Sequence, residues 1–282
     1  MKVISSINGM MKFSKSAKRQ GRSIGFVPTM GALHKGHFSL IRKARIENDL
    51  VIVSIFVNPA QFGPKEDFSK YPRVFKLDLG VCKQAGVDVV FYPRVKEMYP
   101  SSYQTFVTVG ELSDTLCGKS RPGHFTGVAT VVTKLFNIVG SDTAYFGQKD
   151  AQQSVIIRRL SRDLNFPVRI RVVPTVREID GLAMSSRNSY LNQRQRDEAT
   201  VLNHSLELAK DLIRAGEKNP KEIIRCMKRL IGNIKSAKID YIDIVGLEDL
   251  ETVKKVSKGC LIALAVWIGK TRLIDNIIID GA

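Results

Sequence analysis

Short apolar runs alternate with amphipathic stretches through the first 175 residues. The runs at Ile24–Val27, Leu50–Val57, Val87–Tyr92 and Thr143–Gly147 are nearly unbroken and rich in β-branched or aromatic side chains, and Val168–Val173, interrupted by Arg169 and Arg171, reads as a further strand. Such runs suit strands covered on both faces of a parallel sheet. Thr105–Val109 reads as one more short strand. Leu40, Ile41 and Ala44, the stretch 75–85, and the series Val128, Val131, Val132, Leu135, Phe136 and Val139 follow helical spacing, so helices are expected between the runs. An opening strand and helix over residues 2–20 end before Gly21. Strands alternating with helices in this way predict a doubly wound α/β domain with a parallel sheet.

Beyond Asn192 the pattern changes. Two long amphipathic helices are expected over 193–215 and 219–234, followed by strands at Tyr241–Val245, Leu261–Trp267 and Leu273–Ile279 with Gly269–Arg272 as a hairpin turn. That succession predicts a smaller α+β unit. The change falls near residues 176–188, and the division is drawn as 1–180 and 181–282.

In open α/β sheets ligands bind beyond the carboxyl ends of the strands, so the loops after the runs hold the candidate chemistry. After Ile24–Val27 comes Pro28-Thr-Met-Gly-Ala-Leu-His34-Lys-Gly-His37, a glycine-bearing loop that delivers two histidines to the start of a helix. Helix N-termini offer unpaired N–H groups and a positive dipole end, a good setting for phosphate. Asn58 and Gln61 follow the second run and can hold a hydroxy acid without adding charge. Arg121 and His124 flank a Pro-Gly turn and are candidates for a carboxylate or phosphate. Lys149 offers a mobile cation, and Asp150 can accept from ribose hydroxyls or cap the next helix. Ser185, Ser186 and Arg187 form a polar clamp suited to the outer phosphates of a nucleotide.

Net charge is the one unusual feature of the composition, at +17 with a quarter of residues charged. The basic residues are scattered, with only short pairs at 158–159, 228–229 and 254–255. This argues for solvated helix faces and attraction of anionic substrates, with no specific nucleic-acid partner. No apolar run reaches the ~18 residues of a membrane span, and the first 20 residues lack a signal-peptide core. A cytoplasmic protein with no membrane partner is expected. Cys82, Cys117, Cys226 and Cys260 are far apart, form no C-x-x-C pair and suggest neither zinc ribbon nor redox dithiol.

The His-x-Gly-His element resembles the HIGH-type motif of nucleotidyltransferases and class I aminoacyl-tRNA synthetases. The longer string PTMGALHxGHxSL, together with FVNPxQF, RPGHFxGV, FGxKDxQQ, MSSRN and VWxGKTRLIDN, resembles the pantothenate synthetase (pantoate–β-alanine ligase) family over nearly the whole chain. This resemblance implies a Rossmann-like HIGH-motif domain with a smaller carboxy-terminal lid. It also implies ATP-dependent condensation of pantoate with β-alanine through pantoyl adenylate, with ATP and Mg2+ required, and a homodimer. His34, His37, Lys149, Ser185 and Arg187 would be the catalytic set. Met30, Gly147, Asp150, Met184 and Ser186 would complete the ATP site. Asn58, Gln61 and Gln153 would bind pantoate, and Arg121 and His124, in a motif near the pantoate site, would complete the substrate-binding set. The family carries an acidic pair in the helix after Tyr-Pro-Arg; here the places are Leu77 and Asp78, leaving Asp78 as a lone candidate for magnesium. A nucleotidyltransferase of the same fold has no need for FVNPAQF or RPGHF, and a nucleic-acid binder would need a concentrated basic surface.

Overall fold

The computed structural model describes residues 1–64 and 66–280. The amino-terminal part contains β1 (Lys2–Ile4), α1 (Ile7–Arg19), β2 (Ile24–Thr29), α2 (Lys35–Glu47), β3 (Leu50–Ile55), α3 (Phe75–Gln84), β4 (Val89–Phe91), α4 (Val95–Met98), α5 (Leu116–Ser120), α6 (His124–Val139), β5 (Thr143–Gly147), α7 (Ala151–Asp163) and β6 (Arg169–Val173). Then follow α8 (Gln193–Glu198), α9 (Val201–Arg214), α10 (Pro220–Gly232), β7 (Ala237–Gly246), β8 (Cys260–Ile268) and β9 (Thr271–Ile278).

The first six strands form one parallel sheet in the order β1-β4-β3-β2-β5-β6. Every residue of β3 is buried, which explains why its run shows no polar alternation. One face carries α1, α6 and α7 through Met10, Val128, Val132, Phe136 and Ile156. The other carries α2 and α3 through Leu40, Ile41, Ala44 and Cys82. Strand order runs outward from β2 to β3 and β4, then resumes on β2's other side with β5 and β6. The crevice at this reversal, between the ends of β2 and β5, is where such a sheet receives a ligand.

β7, β8 and β9 form an antiparallel sheet. A separate apolar cluster, which includes Leu182 along with Leu206, Ile223, Met227, Leu264 and Leu273, packs it against α9 and α10. The turn between β8 and β9 is only Gly269–Lys270, because Ile268 already pairs with Thr271. Gly269 adopts φ +59° there.

Two expected elements differ. Thr105–Val109 joins no sheet: Val107 N–H donates at 2.9 Å to the Thr130 hydroxyl on α6, not to a neighbouring strand. The helix expected over 193–215 is two helices, with a turn at Ala199–Thr200. Thr200 Oγ1 donates to the Asp197 carbonyl at 2.7 Å, a local bond that competes with helix continuation. The change of direction separates a segment with no buried residue from α9, whose Leu202, Leu206, Ala209 and Ile213 are buried. No helix among the described residues is long and apolar enough to cross a membrane. All four cysteines are free.

Candidate active site

A cleft of about 230 Å³ opens at the β2/β5 reversal. Fifteen of the sixteen residues singled out from sequence line it, and Asp78 does not. A larger cavity of about 830 Å³ adjoins it towards the β8–β9 hairpin and shares Arg121, Lys149, Gln153 and Arg187.

The two histidines are built into the start of α2. Gly36 N–H donates to His34 Nδ1 at 3.1 Å, and His34 N–H donates to His37 Nδ1 at 3.3 Å. This reciprocal cap satisfies N–H groups that a helix start leaves without partners. Because a backbone N–H can only donate, each Nδ1 is an acceptor and each ring carries its proton on Nε2. The rings lie 4.2 Å apart. Burial lowers the His34 pKa to about 4, helped by Lys149. Burial, then His34, then Lys149 lower that of His37 to about 3. At neutral pH the pair is uncharged and offers two Nε2–H donors.

Asp78 has a different role from the expected metal ligand. It is 2 % exposed, and its two oxygens accept from Ala32 N–H at 3.1 Å and Leu33 N–H at 2.7 Å. Gly31 and Ala32 both have positive φ, +82° and +50°. For alanine this left-handed geometry costs roughly 1–2 kcal/mol. Asp78 stabilises that turn from beneath, and a Cβ on Gly31 would come within 2.9 Å of its carboxylate. Burial raises the Asp78 pKa against these two bonds. The carboxylate therefore anchors the loop that presents His34, and its bonding leaves it poorly suited to magnesium. No group of three or more His, Cys, Asp or Glu among the described residues is placed to hold a metal ion.

Opposite the histidines stands the β5 loop. Asp150 occupies the helix N-cap position but makes no side-chain cap; its carboxylate lies 3.9 Å from Lys149 Nζ. The backbone here is held from the other unit, since Asn276 Nδ2 on β9 donates to the carbonyls of Gln148 and Lys149, both at 2.9 Å. Next to Asn276, the buried Asp275 takes a two-pronged ion pair from Arg177, at 2.6 and 3.0 Å. These contacts tie the small sheet to the cleft.

The Ser185–Arg187 loop is also braced. Ser185 caps the short turn Ser186–Tyr190 by accepting from Arg187 N–H. Ser186 Oγ lies 3.2 Å from Tyr71 Oη. Arg187 grips Asp67 through two bonds of 3.0 and 2.9 Å. Arg121 similarly grips Glu66 at 2.7 and 2.6 Å, and its third nitrogen donates to His124 Nε2 at 3.1 Å. His124 Nδ1–H then donates to the Gln61 carbonyl at 2.8 Å. Burial and Arg121 hold His124 near pKa 4, hence neutral. Arg121 and His124 therefore brace the Gln61 loop, a role the Pro-Gly turn did not reveal.

Gln61 and Gln153 line the cleft as expected. Asn58 is 1 % exposed, and its amide is fully engaged with Tyr99, Ala60, Gln61 and Gly127. Its Nδ2 holds the Gln61 side-chain oxygen, so it braces Gln61 from within the cleft wall. Sequence reasoning missed Glu66, Asp67, Tyr71, Tyr99 and Asn276. Each acts across a long stretch of chain; Asn276 closes the VWxGKTRLIDN string, which could have marked it, while no local pattern marks the other four.

A parallel sheet with paired imidazoles at its reversal point, facing a lysine and a Ser-Ser-Arg loop, defines an α/β enzyme of the nucleotide-activating HIGH-motif class. Within that class the amide-bearing loop restricts the choice. The chain belongs to the pantoate–β-alanine ligase family, whose profile matches residues 2–278. It is 55 % identical over 280 residues to the pantothenate synthetase of Caldicellulosiruptor saccharolyticus, covering 99 % of this chain and all of that one. To the enzyme of Thermosipho melanesiensis it is 56 % identical over 281 residues, covering both chains fully. The crystal structure of pantothenate synthetase from Thermus thermophilus superposes with a TM-score of 0.94 at 42 % identity, covering 99 % of this chain and all of that one. The Francisella tularensis pantoate–β-alanine ligase, complexed with β,γ-ATP and β-alanine, superposes at 0.81 with 38 % identity, over 99 % of this chain and 97 % of that one.

Proposed function

We propose that this protein condenses pantoate with β-alanine at the expense of ATP, through pantoyl adenylate, releasing pyrophosphate and AMP. The supporting observation is the reciprocally capped His34–His37 pair, which faces Lys149 and Ser185–Arg187 across a cleft that also contains Gln61 and Gln153.

A carboxylate resists attack by an amine until one oxygen becomes part of a leaving group. In the first step a pantoate oxygen attacks the α-phosphorus and pyrophosphate departs. In the second the amine of β-alanine attacks the acyl carbon and AMP departs. Neither step needs a protein nucleophile, so positioning and charge stabilisation carry the catalysis. His34 and His37 donate Nε2–H to phosphate oxygens as charge develops. They are not assigned proton removal from β-alanine, because each Nδ1 is occupied by a backbone N–H. Lys149, Ser185, Ser186 and Arg187 take the outer phosphates, while Met30, Gly147, Asp150 and Met184 line the nucleotide side. Gln61 and Gln153 hold pantoate, with Asn58, Arg121 and His124 behind them. Mg2+ accompanying the ATP substrate would offset phosphate charge, and Asp78, engaged by Ala32 and Leu33 N–H, is not assigned to hold it.

In this reading residues 1–180 bind ATP and pantoate and 181–282 form the lid. Homodimer formation and a cytoplasmic location rest on family likeness; light scattering tests the former. The function itself is tested by incubating protein with ATP, Mg2+ and pantoate, with and without β-alanine, and following AMP and pyrophosphate. AMP release dependent on both acids is expected. Release independent of pantoate would overturn the assignment.

A further inference from the structure

We propose that Tyr99 is a positioning residue for pantoate recognition, its hydroxyl anchoring the Asn58 amide that holds the Gln61 side-chain oxygen and so leaves the Gln61 amide N–H to the substrate. The inference rests on the function proposed above.

The two ends of a carboxamide have the same shape and opposite hydrogen-bonding character. At Asn58 the backbone chooses, because Ala60 N–H can only donate and the Gly127 carbonyl can only accept, and Tyr99 Oη, which could do either, is thereby set to donate. Tyr99 Oη–H donates to Asn58 Oδ1 at 2.8 Å, and Ala60 N–H donates to the same oxygen at 3.3 Å. The other end is then Nδ2, whose two hydrogens go to Gln61 Oε1 at 3.0 Å and the Gly127 carbonyl at 3.1 Å. With its oxygen occupied, Gln61 turns Nε2 towards Met30 Sδ at 3.2 Å. A thioether is a weak acceptor, so Gln61 presents an N–H donor where both it and Met30 line the cleft. That donor suits an oxygen of a hydroxy acid. Reversing the sequence would set oxygen against oxygen around a buried amide, a costly mismatch.

Tyr99 is fixed in place for this. Its ring lies 5.0 Å from Tyr103, edge to face, and 6.3 Å from Phe56. Lys134 Nζ sits 4.6 Å from the Tyr103 ring and 5.8 Å from that of Tyr99. Burial pushes the Tyr99 phenol well above its ordinary range, so it keeps its proton and remains a donor.

The test is Tyr99→Phe, which removes the hydroxyl and keeps the ring. Steady-state kinetics should show a pantoate KM raised about tenfold, the worth of roughly one hydrogen bond, with kcat and the ATP KM within about twofold. The preference for pantoate over its 2-deoxy or 4-deoxy analogue should fall by the same factor for the hydroxyl that Gln61 meets. Asn58→Asp, which can donate neither to Gln61 Oε1 nor to the Gly127 carbonyl, should raise the pantoate KM at least as far. An unchanged pantoate KM and selectivity in Tyr99→Phe, equal rises in both KM values, or a melting temperature below that of the assay would overturn the proposal. Wild-type protein that releases no pyrophosphate with pantoate would instead overturn the function on which it rests.

Discussion

Gly127→Ala examines the contact between α6 and the Gln61 loop. A Cβ at Gly127 would lie 2.1 Å from the Ala60 carbonyl oxygen, 2.4 Å from its carbon and 2.6 Å from Gln61 N. All three are backbone atoms, so no side chain can swing aside. Reaching even 3.0 Å from that oxygen needs a separation of 3.0 − 2.1 = 0.9 Å. The Asn58 bond to the Gly127 carbonyl, now 3.1 Å, would stretch with it. Overpacking of this kind costs about 1–3 kcal/mol, whereas helix propensity alone favours alanine over glycine by up to about 1 kcal/mol. The packing term should win. For a chain of this size each kcal/mol moves Tm by about 2–4 °C, so a drop of several degrees is expected. A displacement near 1 Å at a positioning loop can cost ~10²-fold in rate, and it should fall on pantoate turnover more than on ATP binding. Gly80→Ala, on the exposed side of α3 with nothing within 4 Å of its new methyl, is the control and should be neutral or stabilising. A Gly127→Ala protein that melts at or above wild type with intact pantoate kinetics would refute this account of the loop.

His37→Ala should lower kcat by ~10²–10³, the usual cost of removing a transition-state donor; an unchanged kcat would remove His37 from the chemistry. Asn276→Ala removes two supports of the Lys149 loop, each worth about 0.5–1.5 kcal/mol, and should raise the ATP KM about tenfold with a smaller effect on pantoate. Stability should fall as pH drops from 6.5 towards 4: the unfolded chain takes up protons on His34, His37 and His124 near pH 6.5, the native chain only near 4, 3 and 4, so acid favours unfolding. Thermal melts across that range check the sign, and His124→Gln should flatten the slope. Labelled tRNA and duplex DNA should bind no tighter than the ~10⁻⁴–10⁻⁶ M of non-specific contact at physiological salt; submicromolar anisotropy titrations would contradict the reading of the +17 charge.

The sequence made the main sheet legible because burial on both faces of β3 leaves an unbroken apolar run, and because β2 and β5 each end in a loop with a distinctive set of polar side chains. It failed at Thr105–Val109, where Phe106 is left exposed and the Val107 N–H is taken by Thr130 on α6, so no ladder forms. The α8–α9 break was hidden because Thr200 is compatible with a helix until its hydroxyl finds the Asp197 carbonyl. Site membership could be read from the motifs, but the partner of each side chain could not. Asp78 meets Ala32 and Leu33, Asp67 meets Arg187 and Tyr99 meets Asn58 only after the sheet has brought distant loops together. Those pairings make Asp78 an anchor of the Ala32–Leu33 turn and Asn58 a brace for Gln61.

The grip of Asn276 on the Gln148 and Lys149 carbonyls also bears on the order of events during translation. A ribosome releases the histidine pair and the β5 loop long before it reaches β9. The growing chain can fold its nucleotide crevice around loops that still lack their last support. Catalytic competence should therefore arise late in synthesis, and a prematurely terminated product stopping short of β9 should be silent towards ATP instead of draining it.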